Sequence, residues 1–424
     1  MQKIIALVVF IVVYALLLLL PKYRAAVAAV AAGIFLILGI VPAAEAIGAI
    51  DWNVILMLTG TMGTVEMFSI SQMPNRISDQ LVRTLPNVKI MIIVMALFSG
   101  FVSAFLDNVA TVLMLAPVAL AVSKKLNISP VGMILAIAVS SNLQGAATLV
   151  GDTTSILLGG HLGMDFTDFF VYQGVPGMFW VVELGAVATI PVMLVLFRQE
   201  KGLLDKDIPL TPVTDYLPTF LLLGTILSLI AASFLPVKPN ITNGLICMAF
   251  FLVGIVVECI KNGHTKIAKE AICAIEYETL VLLAGLFLII AGIDRVGIIR
   301  DISNIISSAG RGNLFLTYTI IVWGSVIISA FVDNIPYTAT MLPVVGGVAA
   351  ALGAGEALLP FGLLVGATLG GNLTPVGATA NIAAAGILRK DGYVVSTKQF
   401  MRIGVPFTLA AVITGYILVW FLFS

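Results

Sequence analysis

Two aspartates stand where an acid is expensive. Asp107 and Asp333 lie near the middle of long apolar stretches, 90–122 and 313–352, and each is followed by an asparagine, Asn108 and Asn334. A carboxylate at the centre of a membrane-spanning stretch costs about 3 kcal/mol on insertion scales. An Asp-Asn pair kept in two such places therefore implies a neutralising partner, either a bound cation or a proton. A local role is the competing reading, with each Asp capping the helix that follows it and meeting free N–H groups and the positive dipole end. The two roles are compatible, because a tip that presents carboxylate, amide and loose carbonyl oxygens is also a set of hard cation ligands.

A second constellation runs from Ser140 to Ser155 and is matched by Thr368 to Asn381. Its candidate binding residues are Ser141, Asn142, Thr148 and Asp152 in the first copy and Asn372, Thr374, Thr379 and Asn381 in the second. The glycines, together with Pro375, break a crossing helix near its middle, freeing carbonyls on one half-helix and N–H groups on the other. Close packing through small residues accounts for Gly160 and Gly386 but requires none of the amides or hydroxyls. Asn142, Thr148, Asn372 and Thr374 are accordingly expected as substrate ligands. Glu66 and Glu183, the other acids in apolar spans, are expected to be protonated, hydrogen-bonded structural groups.

These constellations are one motif written twice. Ser103–Asn108 returns as Ser329–Asn334, and an offset of 226 positions holds through Pro117/Pro343, Thr148/Thr374, Gly151/Gly377 and Thr153/Thr379. A duplicated segment with an intramembrane acid and a glycine-rich break marks a secondary transporter, whose site lies where the repeats meet.

The elements that must carry the motifs are membrane helices. With 60% hydrophobic and 10% charged residues and a mean hydropathy of +1.12, the chain is expected to be an all-α polytopic membrane protein. The first repeat, 1–200, contains scaffold helices over 1–70, a re-entrant hairpin at 90–122, a broken helix at 130–163 and a last helix at 170–197. A cytoplasmic linker, 201–216, leads to the second repeat, 217–424, with scaffold helices over 217–293, hairpin 313–352, broken helix 356–388 and last helix 403–423. Segments 71–89 and 295–312 have the apolar spacing of interfacial amphipathic helices.

Five crossings per repeat make the second repeat inverted, giving about ten transmembrane helices and two hairpins. Charge supports this arrangement: of the 22 Lys and Arg residues, only Lys3, Lys238, Arg295, Arg300 and Arg311 fall on one side, which is then non-cytoplasmic. Six crossings per repeat would scramble that segregation. Both termini are expected outside the cytoplasm, and residues 4–20 are read as a retained helix, since no small-residue cleavage site follows them.

Several classes are disfavoured. The balanced charge leaves no basic surface for nucleic acid. Cys247, Cys259, Cys273, His161 and His264 lack the spacing of a zinc site. Neither HExxH nor GxSxG occurs, which argues against the common hydrolases. A channel would need a continuous polar path rather than paired hairpins and broken helices.

The motifs Phe105-Leu106-Asp107-Asn108-Val109, Ser141-Asn142-Leu143-Gln144-Gly145, Val332-Asp333-Asn334-Ile335-Pro336 and Gly370-Gly371-Asn372-Leu373-Thr374-Pro375 resemble the ion transporter superfamily. They are most similar to its branch of citrate-transporter-like permeases, arsenite permeases and NhaD-type sodium/proton antiporters. The resemblance implies a fixed scaffold, a moving unit of hairpin and broken helix, elevator-like alternating access, a homodimer, and residence in a prokaryotic-type plasma membrane. In the related divalent-anion/sodium symporters the tips carry Ser-Asn-Thr motifs that hold sodium. Here the matching positions are Asp107-Asn108-Val109 and Asp333-Asn334-Ile335, which favours protons, with sodium at Asp107, Asn108, Asp333 and Asn334 as the alternative. Gly151-Asp152-Thr153-Thr154-Ser155 also departs from the Gly-Asp-Pro-Pro-Asn usual in arsenite permeases.

Within 103–155 and 329–381 the only basic residues are Lys124 and Lys125. Such a centre disfavours a polyanion unless cations bind with it. The expected activity is proton- or cation-coupled transport of a small inorganic ion or oxyacid. Sodium/proton exchange and cation-coupled citrate or dicarboxylate transport are the alternatives. No cofactor is expected beyond the coupling ion.

Overall fold

The computed structural model describes residues 2–126, 128–200, 210–262 and 266–424. Linker residues 201–209 and His264 lie outside the described residues. The apolar runs fold as α1 Gln2–Leu19, α2 Arg24–Ile37, α3 Ala46–Ala49, α4 Trp52–Ile70, α5 Met73–Thr84, α6 Val88–Ser103, α7 Asn108–Leu126, α8 Val131–Gln144, α9 Thr153–Leu162 and α10 Met178–Leu196. They continue as α11 Leu217–Ser233, α12 Thr242–Asn262, α13 Lys266–Cys273, α14 Tyr277–Arg295, α15 Ile298–Ala309, α16 Leu314–Ser329, α17 Asn334–Leu352, α18 Leu358–Gly370, α19 Thr379–Lys390 and α20 Thr397–Phe423. The chain is an all-helical membrane protein. Among the described residues seven helices are long and apolar enough to cross a bilayer alone, or eight if the bent pair α15–α16 counts as one span.

Local chemistry repeats with the helices. Asn87 caps α6 by accepting from the Ile90 amide, and Asn313 caps α16 by accepting from Leu316. The amphipathic segments fold as α5 and α15, both 12 residues long, and each starts from a left-handed residue, Gln72 or Gly297. Among the tight crossings are α4 on α12 and α14 on α2. A Cβ on Gly60 would sit 2.4 Å from the Cys247 carbonyl carbon, and one on Gly285 would sit 2.8 Å from that of Ala28. Gly254 faces Met67, and Gly292 faces Phe35. Both pairs of crossings obey the same two offsets: 225 positions between α4 and α14, and 219 between α2 and α12.

One expected helix starts late. Residues 170–197 are apolar throughout most of their length, yet Val171–Tyr172 pairs antiparallel with Val175–Pro176 before α10 begins at Met178. The cause is the turn between the strands, where Gln173 and Gly174 both take positive φ, a conformation that ends helical propagation.

The centre is occupied by the broken helices. All thirteen residues of α18 are buried, as is α8 from Met133 to Gln144. Helices buried on every side are shielded from lipid, which is the condition for irregular backbone at membrane depth. At the polar linker, Asp79 of α5 accepts from both the amide and the hydroxyl of Thr211, at 2.8 and 2.6 Å.

Candidate functional site

The twelve residues singled out by sequence separate into a wall and a support. Asp107, Asn108, Asp152, Asp333, Asn334 and Thr379 line one cavity of 180 Å³. Ser141, Asn142, Thr148, Asn372, Thr374 and Asn381 are absent from that wall and make buried hydrogen bonds among the broken helices and the adjoining turns.

The cavity is a meeting of helix starts. Arg24 opens α2, Asn108 opens α7, Thr153 opens α9, Asn334 opens α17 and Thr379 opens α19, while Glu278 lies in the first turn of α14. Each start carries the positive end of a helix dipole, and at α7 and α17 the first amides are taken by Asp107 and Asp333. Against them stand the carboxylates of Asp107, Asp152, Asp333, Glu276 and Glu278. The wall thus holds anion-binding dipoles and cation-binding oxygens together.

The two tip acids are not equivalent. Asp107 Oδ1 accepts from the amides of Val109 and Ala110 at 2.9 and 3.0 Å. Asp333 Oδ1 accepts from the Ile335 amide at 3.0 Å, and its Oδ2 is paired with Arg24 Nη1 at 2.7 Å. Arg24 Nε also donates to the Leu17 carbonyl at 3.2 Å, which fixes the guanidinium against the end of α1. Among the described residues no basic side chain pairs with Asp107. Tyr14 reinforces the second tip, its hydroxyl donating to Pro336 O at 3.0 Å.

Behind the wall, amides and hydroxyls hold the breaks together. Asn108 Nδ2 donates to Asn142 Oδ1 at 3.1 Å, and Asn142 Nδ2 donates to Thr368 O at 2.8 Å and Asn372 Oδ1 at 3.1 Å. Asn372 Nδ2 reaches back to Val139 O at 2.8 Å. Thr148 Oγ1 donates to Ala104 O, and Thr374 Oγ1 donates to Ala330 O at 2.5 Å. Thr154 joins Asp152 and Thr368, at 2.8 Å in each case. Asn381 Nδ2 faces the carbonyls of Gly371 and Thr374, while Ser141 Oγ donates to Asn108 O at 3.0 Å.

Three placements bear on the expectations. Asn142, Thr148, Asn372 and Thr374, expected as ligands, stand behind the cavity with their groups engaged by the protein, because each broken helix must satisfy its own carbonyls. The centre is not free of basic charge, since Arg24 arrives from 309 positions away in sequence to pair with Asp333. Glu183, expected to be hydrogen-bonded, has a buried Oε1 with no partner among the described residues. Arg24, Thr153, Glu276 and Glu278 were not singled out by sequence. Arg24 carried one usable signal, as an arginine at the threshold of an apolar span.

Comparison with known proteins agrees with this architecture. The citrate transporter family, CitMHS, matches residues 9–366. The chain belongs to the citrate transporter family. An uncharacterized transporter of Mycobacterium tuberculosis is 31% identical over 383 residues, covering 88% of this chain and 86% of its own. The human P protein is 25% identical across 87% of this transporter, which spans about half (54%) of the P protein's length. The YdaH transporter of Alcanivorax borkumensis shares the fold at a TM-score of 0.60 and 14% identity, with 88% of this chain and 86% of that one covered. MtrF of Neisseria gonorrhoeae does so at 0.54 and 14%, with 87% and 80% covered.

Proposed function

We propose that the protein is a secondary transporter that carries a small oxyanion, foremost a citrate-like carboxylate, together with a cation or proton. The observation that carries this reading is the mixed wall of the tip cavity, where six helix starts and Arg24 face five carboxylates. An anion is held by the dipoles and the guanidinium, and the surrounding acids require that positive charge enter with it. The family description points to the same class of substrate.

The transport cycle is alternating access across two inverted repeats, each with five crossings, a hairpin and a broken helix. Hairpin and broken helix move as one unit against a scaffold built from the crossed pairs α4–α12 and α14–α2. Lys and Arg segregation orients the tip cavity toward the cytoplasm in this state, with both termini outside. A homodimer in the plasma membrane is the working assembly. The surplus of acids supports a second reading, transport of a small inorganic oxyacid or sodium/proton exchange.

Proteoliposomes on a solid-supported membrane separate these. Citrate or succinate should evoke a current only when a proton or sodium gradient, or a divalent cation, accompanies it. Currents driven by sodium and pH gradients alone, with no response to carboxylates, would instead establish exchange. Saturable counterflow distinguishes either from a channel.

A further inference from the structure

Arg24 is held from two sides by the protein itself. Its Nε is fixed on Leu17 O and its Nη1 on Asp333 Oδ2 at 2.7 Å, with 24% of the arginine and 11% of the aspartate side chain exposed. The repeat-related acid, Asp107, has its Oδ1 on two backbone amides and no basic partner among the described residues. An entering anion therefore meets a guanidinium held by an internal carboxylate, and an entering cation meets a carboxylate held by an internal guanidinium.

We infer that the Arg24–Asp333 ion pair is an exchange element that makes anion and cation bind together. It rests on the reading that this cavity takes an oxyanion with a cation. The substrate carboxylate replaces Asp333 on the Arg24 Nη donors, and the released Asp333 Oδ2 becomes a ligand of the accompanying cation. Neither half proceeds alone. An anion without a cation leaves Asp333 unpaired beside Asp107, Asp152 and Glu276, and a cation without an anion leaves the guanidinium unpaired. Separating one member of a part-buried pair costs more than exchanging both, so the pair itself couples the two ligands. Asp107, with no basic partner among the described residues, does not supply this reciprocity.

The test is calorimetric titration of the full chain in nanodiscs with citrate, at a series of Na+ or Mg2+ concentrations, and of each cation with and without citrate. Wild-type protein should show reciprocal tightening of about tenfold or more. Arg24→Gln should lose citrate binding by a similar factor and bind the cation without citrate. Asp333→Asn should bind citrate with no cation dependence. The double variant removes both charges, and should melt near the wild-type temperature while showing no mutual dependence. If wild-type protein binds citrate but both single variants retain its reciprocal tightening, the exchange is overturned while the functional reading stands. If wild-type protein binds no carboxylate or other oxyanion with any cation, both fall.

Discussion

Thr148 and Thr374 occupy the same place in the two copies, and each donates a hydrogen bond from its hydroxyl to the carbonyl of a tip turn, Ala104 or Ala330. Replacing either by valine keeps the shape and leaves that carbonyl without its partner in a buried site, a loss of about 1–3 kcal/mol. Thr148→Val and Thr374→Val should each lower the melting temperature in detergent, while citrate affinity in the folded fraction stays near wild type. A large affinity loss with no change in melting would make these residues ligands, as the sequence suggests. The site was legible in sequence where chemistry was costly: Asp107, Asp333 and Asp152 stand out because carboxylates in apolar surroundings need a reason. Arg24 did not, because an arginine at the edge of a span has an ordinary role in setting orientation. Its pairing exists only once α2 has been brought against the second tip.

At the level of elements, the tip turn and the helix break are one joint, made by close backbone approach. A Cβ on Gly151 would lie 2.5 Å from Gly145 O, 2.6 Å from Ala104 O and 2.7 Å from Ser103 O. On Gly377 it would lie 2.6, 2.8 and 2.9 Å from Gly371, Ser329 and Ala330 oxygens. These neighbours are main chain and cannot turn aside, so a methyl group must part the hairpin from the broken helix. Gly151→Ala and Gly377→Ala should each cost about 1–3 kcal/mol or more and abolish gradient-driven uptake, measured as melting temperature and proteoliposome transport. Wild-type values for both would show that hairpin and break move independently. Long apolar runs and the 226-position register made these elements readable beforehand. The Val171–Tyr172 and Val175–Pro176 strands were not, since hydropathy does not distinguish a short apolar strand from the start of a helix. The turn at Gln173-Gly174 decides that point.

For the whole molecule, the most informative relation is between two cavities at opposite ends of α9. Thr153, its first residue, lines the tip cavity, whereas Gly159 and Gly160 line a second cavity of 430 Å³. The scaffold walls correspond under the offsets of the helix crossings: Glu276 and Glu278 in one cavity match Asp51 and Asn53 in the other, and Arg24 matches Asn243. Asn243 is buried, and its Oδ1 has no partner among the described residues. In the structure the second tip rests on Arg24; the proposed exchange of the repeats would place the first tip, Asp107-Asn108-Val109, beside Asn243. A thiol pair at Ala25 and Ile335, both lining the tip cavity, should therefore cross-link in the conformation described. A pair at Asn243 and Val109 should cross-link only in the opposite one, in protein whose three native cysteines have been replaced. Adding citrate with its cation should populate both pairs in turn, and each cross-link should arrest uptake. Absence of the Asn243–Val109 product under every ligand condition, with the Ala25–Ile335 product formed in full, would mean that the two cavities are not alternate faces of one site.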